Sequence, residues 1–415
     1  MQDKKIRVLW FSNTSVDYTK SSSGYNGGGW ISALKDKAIE AGNIELAVAF
    51  YGNSEDKHLI RDNVSYYPIS FDRKISSRLK RSFSKEQQEL DHIIEFKSII
   101  KSFKPDLVHV FGTEKPFGLV AQHTDVPTII HLQGLINPYL NALLPPFYSK
   151  LDFFMDKGCN PFNIIKNINS YFGWKEAAVR EKKIFQGCKN FMGRTHWDKA
   201  ICKILSPNSN YFYCSEVLRS EFGLVKKNIE RDSSKKIKIV STISNPHYKG
   251  ADIILKTAKI LKANMNIDFD WSVYGVRNID FTASKLGIDV KSNNITLRGI
   301  VSAEELANSL SEATVYVHPS YIDNSPNSIC EAQVIGVPVV ANDVGGISSL
   351  ITHNETGFLA PANDPYMLAH YIKALSKNSE LSKKIYTNAQ RVSKTRHNPD
   401  IIIEDLLNIY KKILD

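Results

Sequence analysis

A chain of 415 residues is longer than one hydrophobic core commonly serves and points to two domains with a cleft between them. Apolar content of 42%, charged content of 23% and 22 glycines exclude a fibrous or broadly disordered chain. The net charge of +10 draws phosphate to the surface, whether in nucleic acid, anionic lipid or a nucleotide, and does not choose among them.

Apolar runs bounded by turn signals alternate with helix-period stretches, the pattern of repeated βαβ units and hence of parallel sheets. Residues 1–5 lead into the first expected strand, 6–11, with no apolar leader or cleavage site, and no apolar run approaches the roughly 20 residues of a membrane span. The expectation is a cytoplasmic protein. Strands at 44–50 and 64–69 come next. Arg73, Lys74, Arg78, Lys80, Arg81 and Lys85 then interleave with Ile75, Leu79 and Phe83. This segment reads either as a solvated loop and helix or as a basic amphipathic stretch in peripheral contact with an anionic membrane.

Strands at 107–111 and 128–132 precede residues 135–174, where Pro138, Pro145, Pro146 and Pro161 stand among Leu, Phe and Tyr. That stretch is too proline-broken for a regular element and too apolar for a plain loop. It is expected to be an insertion lining the cleft as a lid or acceptor surface, or else a packed satellite of the first domain. Strands at 190–193 and 211–214 close the first half. The alternation breaks over 215–236, which ends in Arg231-Asp-Ser-Ser-Lys-Lys and serves as the linker. The second half carries strands at 237–243, 268–274, 295–300, 315–318 and 337–341, with Ser302 and Glu305 forming a capping box for one helix. The domains are thus 1–214 and 237–397, with a helix at 398–415 expected to pack back on the first.

The five cysteines (Cys159, Cys188, Cys202, Cys214, Cys330) are scattered, which argues against a disulfide framework or a zinc site. Asp268-Phe-Asp270 has the look of an acidic metal motif but reads as a strand start, and His109 lies in a buried strand as core. The informative stretch runs from His318 to Ala341. Ser325 suits an N-cap and Pro326 a first helical position, which leaves the amides of Asn327, Ser328 and Ile329 unpaired at a positive helix end. That is a diphosphate site. Glu331 shares the helix face of Asn327 and Ser328 one turn on, where a ribose would sit, and Asp323 precedes the cap on the side where a transferred sugar would hang. Lys249, before Gly250 at the C-terminal edge of a parallel strand, stands where ligands bind in such sheets.

Asp323 and Glu331, separated by seven residues, followed by Gly336-Val-Pro-Val-Val, Asp343-Val-Gly-Gly and Thr356-Gly-Phe-Leu-Ala-Pro, resemble glycosyltransferase family 4, the group 1 retaining enzymes of the GT-B superfamily. Tyr248-Lys249-Gly250 resembles that family's diphosphate-binding Lys-Gly element, Gly27-Gly-Gly-Trp its glycine-rich loop, and Thr128-Ile-Ile-His131 its strand ending in an active-site histidine. The resemblance implies a GT-B fold: two Rossmann-like domains with parallel sheets facing across a cleft, the first binding acceptor and the second donor. It implies catalytic roles for His131, Lys249 and Asp323, and donor contacts from Gly28, Gly29, Arg194, Lys249, Asp323, Asn327, Ser328 and Glu331. Two departures stand out: Asp323 where the family usually has Glu, and Ser244 where it usually has an arginine, for which Arg194 is the candidate substitute.

The implied function is retaining transfer of a sugar from a UDP- or GDP-sugar to a glycan or lipid-linked acceptor, in surface polysaccharide biosynthesis, at the inner face of the membrane. No metal or other cofactor is expected, because no acid cluster of metal-ligand spacing accompanies the diphosphate site. A nucleotide-sugar epimerase of the same fold is the rival enzyme. A nucleic-acid partner is not expected, since no basic-aromatic motif of the known modules is present.

Overall fold

A computed structural model describes residues 5–18, 29–52, 58–70, 85–226, 236–265 and 267–415. The basic segment 73–84 and Gly28 lie outside the described residues. The first domain is built on an eight-stranded sheet in the order β3-β4-β2-β1-β5-β6-β7-β8. Its strands are β1 (Ile6–Ser12), β2 (Ile44–Tyr51), β3 (Leu59–Arg61), β4 (Val64–Ile69), β5 (Leu107–Phe111), β6 (Thr128–His131), β7 (Asn190–Gly193) and β8 (Asn210–Tyr213). All neighbours are parallel except edge strand β3. The second domain carries a wholly parallel sheet in the order β11-β10-β9-β12-β13-β14. These strands are β9 (Ile237–Thr242), β10 (Phe269–Tyr274), β11 (Ile295–Gly299), β12 (Val315–His318), β13 (Val339–Asn342) and β14 (Phe358–Ala360).

Every residue of β5 and of β12 is buried, as parallel strands covered by helices on both faces must be. Each domain accordingly has two apolar layers, one on each face of its sheet. In the second sheet the strand order reverses between β9 and β12, so the loops leaving those strands part and open a crevice. The helix Pro399–Leu414 starts on Asn398, whose side chain accepts from the Asp400 amide, and lies against Gly29–Glu40 of the first domain. Its Tyr410 hydroxyl meets His109 Nδ1 at 2.6 Å and accepts from Trp10 Nε1 at 3.2 Å, which ties this helix to the first domain's core. Within the expected linker, the short helix Ser220–Leu224 sinks Phe222 into the second domain's core.

Residues 135–174 depart from expectation, because they form regular helices: Ile136–Ala142, Lys150–Met155 and the first half of Pro161–Gly187. Two of the prolines start helices rather than break them, and Pro145 and Pro146 lie in the connection between helices. Pro138 sits in a first turn and Pro161 at a first helical position behind the Asn160 cap, where no amide is missed. The amides of Ile136 and Asn137 donate to the buried Glu181 carboxylate at 2.8 and 2.7 Å, so the long helix caps its neighbour. These helices face the second domain, with Tyr148 stacked on His247 at 4.1 Å and bonded to Thr282 at 2.7 Å.

Candidate active site

Gly250 fixes the first element of the site. Its φ of +80° belongs to glycine, and a Cβ there would lie 2.2 Å from the Pro319 carbonyl oxygen. The turn after β9 is therefore pressed against the loop after β12, and Lys249 meets Asp323 with Nζ 2.6 Å from Oδ2. His318, the last residue of β12, brings Nε2 within 3.2 Å of the same oxygen. Oδ1 accepts from the Asn324 amide at 3.1 Å and from the Tyr139 hydroxyl, across the cleft, at 3.3 Å. Burial alone would raise the Asp323 pKa, but Lys249 and His318 hold it well below the usual carboxylate range. Asp323 is a fixed negative charge.

The helix Asn327–Ile335 begins one residue later than expected. Ser325 does not cap it; its hydroxyl donates at 2.8 Å to Oε1 of Glu216, a fully buried carboxylate that needs donors. Pro326 takes the capping position, and Asn327 and Ser328 open the first turn towards a cavity of about 400 Å³. Glu331 follows on the cavity wall and receives Nε and Nη2 of Arg219 on Oε1, at 3.1 and 2.8 Å. Burial pushes the Glu331 carboxyl up to about 7 despite Arg219.

The cavity gathers Lys249, Arg194, Asp323, Asn327, Ser328 and Glu331. Tyr274, Ile300, Val301 and Leu306 line it from the β10–β11 side, so a charged region adjoins an apolar one. Arg194 lies over the Trp30 ring at 4.9 Å, with Nη1 3.8 Å from Glu216. Gly29 abuts Arg219, whose Cδ would be 2.7 Å from an added Cβ. His131 is not among the lining residues. It is fully buried, with ring centroids 5.5 Å from His109, 5.7 Å from Phe111 and 5.1 Å from Trp30, which itself lines the cavity and covers it. Burial keeps the His131 imidazole neutral.

Sequence reasoning passed over Tyr139, His318, Arg219 and Glu216. His318 had a signal, since it ends a parallel strand beside the motif, and Tyr139 lies in the stretch expected to line the cleft; Arg219 and Glu216 come from the joining segment with none. Among the described residues, Glu216, Cys330 and His397 are the group close enough to share a metal ion, with ligand atoms within 4.8 Å. Burial would raise the Glu216 pKa, but Arg194, His397 and Arg396 bring it down to about 2, and burial keeps Cys330 a thiol. Guanidinium groups thus already balance this carboxylate. Asp268 and Asp270 instead pair with Lys236 on the surface, at 3.5 and 2.8 Å.

Two parallel α/β domains, with a cavity where their strand ends face each other, define a GT-B fold. Sucrose-phosphate synthase from Thermosynechococcus elongatus superposes with a TM-score of 0.71 and 15% identity, over 99% of both chains. HepE of Anabaena, solved with UDP-glucose, matches with a TM-score of 0.64 and 15% identity, over 98% of this chain and 100% of that one. Residues 225–392 match the family model for group 1 glycosyl transferases. A curated relative is the amylovoran biosynthesis glycosyltransferase AmsK of Erwinia amylovora, 26% identical over 184 residues, which are 43% of this chain and 45% of that protein. The chain spans less than half the length of the curated relatives it matches.

Proposed function

We propose that the protein is a retaining glycosyltransferase of family 4 that moves a sugar from a UDP- or GDP-sugar to a glycan or lipid-linked acceptor. The observation that carries this reading is the Lys249–Asp323 pair beside the first turn of Asn327–Ile335, with Glu331 further along the same helix. The Ile329 amide expected to be free donates instead to the Pro326 carbonyl oxygen at 3.0 Å, so a diphosphate at the amides of Asn327 and Ser328 puts its ribose towards Glu331 and its sugar towards Asp323. Lys249, Arg194 and the helix end stabilise charge as the bond from the sugar C1 to the diphosphate oxygen breaks. The acceptor oxygen forms the new bond to C1 from the same face, and its proton passes to the departing oxygen. No covalent nucleophile enters this account.

No step of this account is routed through a metal ion, so turnover is proposed to survive a chelator. The UDP-glucose complex of HepE supports a nucleotide-sugar donor, and AmsK supports a place in surface polysaccharide biosynthesis. AmsK is a glycosyltransferase, which favours transfer over epimerisation. No helix among the described residues is long and apolar enough to cross a membrane. Attachment to the inner membrane face through the basic segment 73–85 belongs to the same proposal. The test is a screen of UDP- and GDP-sugars for slow hydrolysis and transfer in excess EDTA. Activity restored only by magnesium or manganese overturns the metal-free mechanism, and release of a free epimer from every donor overturns transfer.

A further inference from the structure

Arg219 lies in the stretch joining the two domains, three residues before Phe222 enters the second core. Its guanidinium donates twice to one oxygen of Glu331, Oε1, at 3.1 and 2.8 Å. Oε2 is left for a ligand in the cavity that Glu331 lines. The stem of Arg219 packs on Gly29 at the start of the first domain's opening helix, and its guanidinium lies 4.6 Å from the Phe222 ring centroid. Only 16% of the arginine side chain and 4% of the glutamate's is exposed, so this contact is largely shielded from water. The first domain, the joining segment and the site helix all meet at this one side chain.

Resting on the reading of the cavity as a nucleotide site, we propose that Arg219 is a positioning residue of that site. It fixes the Glu331 carboxylate by one oxygen, compensates its charge and leaves the second oxygen to a ribose diol. Burial pushes the Glu331 carboxyl up and Arg219 opposes this; the other groups facing it are Glu221, Glu216 and the Tyr316 phenol. The ionised form accepts the ribose hydroxyls, so nucleotide affinity rises with pH through the Glu331 titration. Without Arg219, burial, Glu221 and Glu216 act unopposed and the titration moves to higher pH.

The experiment follows the Glu331 carboxyl by carbon-13 NMR in the full chain, beside calorimetric titration with UDP and with GDP between about pH 6 and 9. It compares wild type, Arg219→Gln and Arg219→Lys. In Arg219→Gln the carboxyl midpoint should rise from about 7. Nucleotide affinity should fall about tenfold or more near neutral pH, with a deficit that shrinks as pH rises. Arg219→Lys keeps the charge but on one nitrogen, without the planar pair that grips Oε1, so its midpoint should stay near that of wild type while affinity weakens several-fold. A wild-type midpoint in Arg219→Gln, or a deficit equal at every pH, overturns the proposal. If Arg219→Gln does not fold, wild-type affinity in Arg219→Lys does the same. Failure of wild type to bind either nucleotide overturns the functional reading instead, while an Arg219-dependent titration of Glu331 persists.

Discussion

Asp323 and Glu331 share one segment, yet their neighbours give them opposite acid–base behaviour. Lys249 and His318 hold Asp323 ionised, whereas burial leaves Glu331 half-protonated near neutrality. A carboxyl whose folded pKa is raised contributes stability below its unfolded pKa and loses it as pH rises through the folded one. The wild-type chain should therefore lose on the order of 2 kcal/mol of stability from Glu331 between about pH 5 and 8. Urea unfolding at the two pH values should show this slope, and Glu331→Gln should flatten it. An unchanged slope in the variant places the titration elsewhere. On the proposed reading, hydrogen bonds from a nucleotide's ribose would offset the cost of this buried charge.

At the level of elements, the turn at Gly250 positions the lysine that meets Asp323. Gly250→Ala adds a Cβ where the Pro319 carbonyl oxygen stands at 2.2 Å, on a backbone with φ of +80°. It should cost roughly 2 kcal/mol or more in denaturant unfolding and displace Lys249 from Asp323. Wild-type stability and turnover in this variant would contradict that geometry. The strands themselves were legible, because buried parallel strands are continuous apolar runs, as in β5 and β12. β3 and β14, three residues each, are too short to carry a period. The long helix Pro161–Gly187 was missed because its buried face includes Asn167 and Glu181 beside Tyr171, Ile184 and Phe185, so it shows no apolar stripe. The acidic motif and the Lys-Gly turn were readable because each lies within one short segment. Arg219 and Glu216 were not, because only the tertiary fold carries them to the site.

At the scale of the molecule, the cleft is held by bonds between the domains. Thr195 Oγ1 donates to Asn324 Oδ1 at 2.6 Å, and Asn324 Nδ2 donates to Gln133 O at 2.7 Å and Asp198 Oδ2 at 3.0 Å. Arg396 Nη2 reaches the Arg194 carbonyl oxygen at 2.6 Å. Asn324→Ala removes three of these contacts and should shift the chain towards an open arrangement. The expected results are a larger radius of gyration by small-angle scattering and slower transfer. An unchanged radius and rate would mean that the domains are held by other contacts.

The central claim is that the nucleoside diphosphate lies along Asn327–Ile335 with its ribose at Glu331 and the transferred sugar at Asp323. Calorimetric titration of Glu331→Ala and Asp323→Ala with UDP and GDP tests it most directly. Glu331→Ala should lose about ten- to a hundredfold in affinity for the nucleotide that binds wild type, the worth of one or two charge-assisted hydrogen bonds. Asp323→Ala should keep nearly all of that affinity, because it leaves Lys249 free for phosphate. Equal losses in the two variants, or no loss in either, would contradict the account.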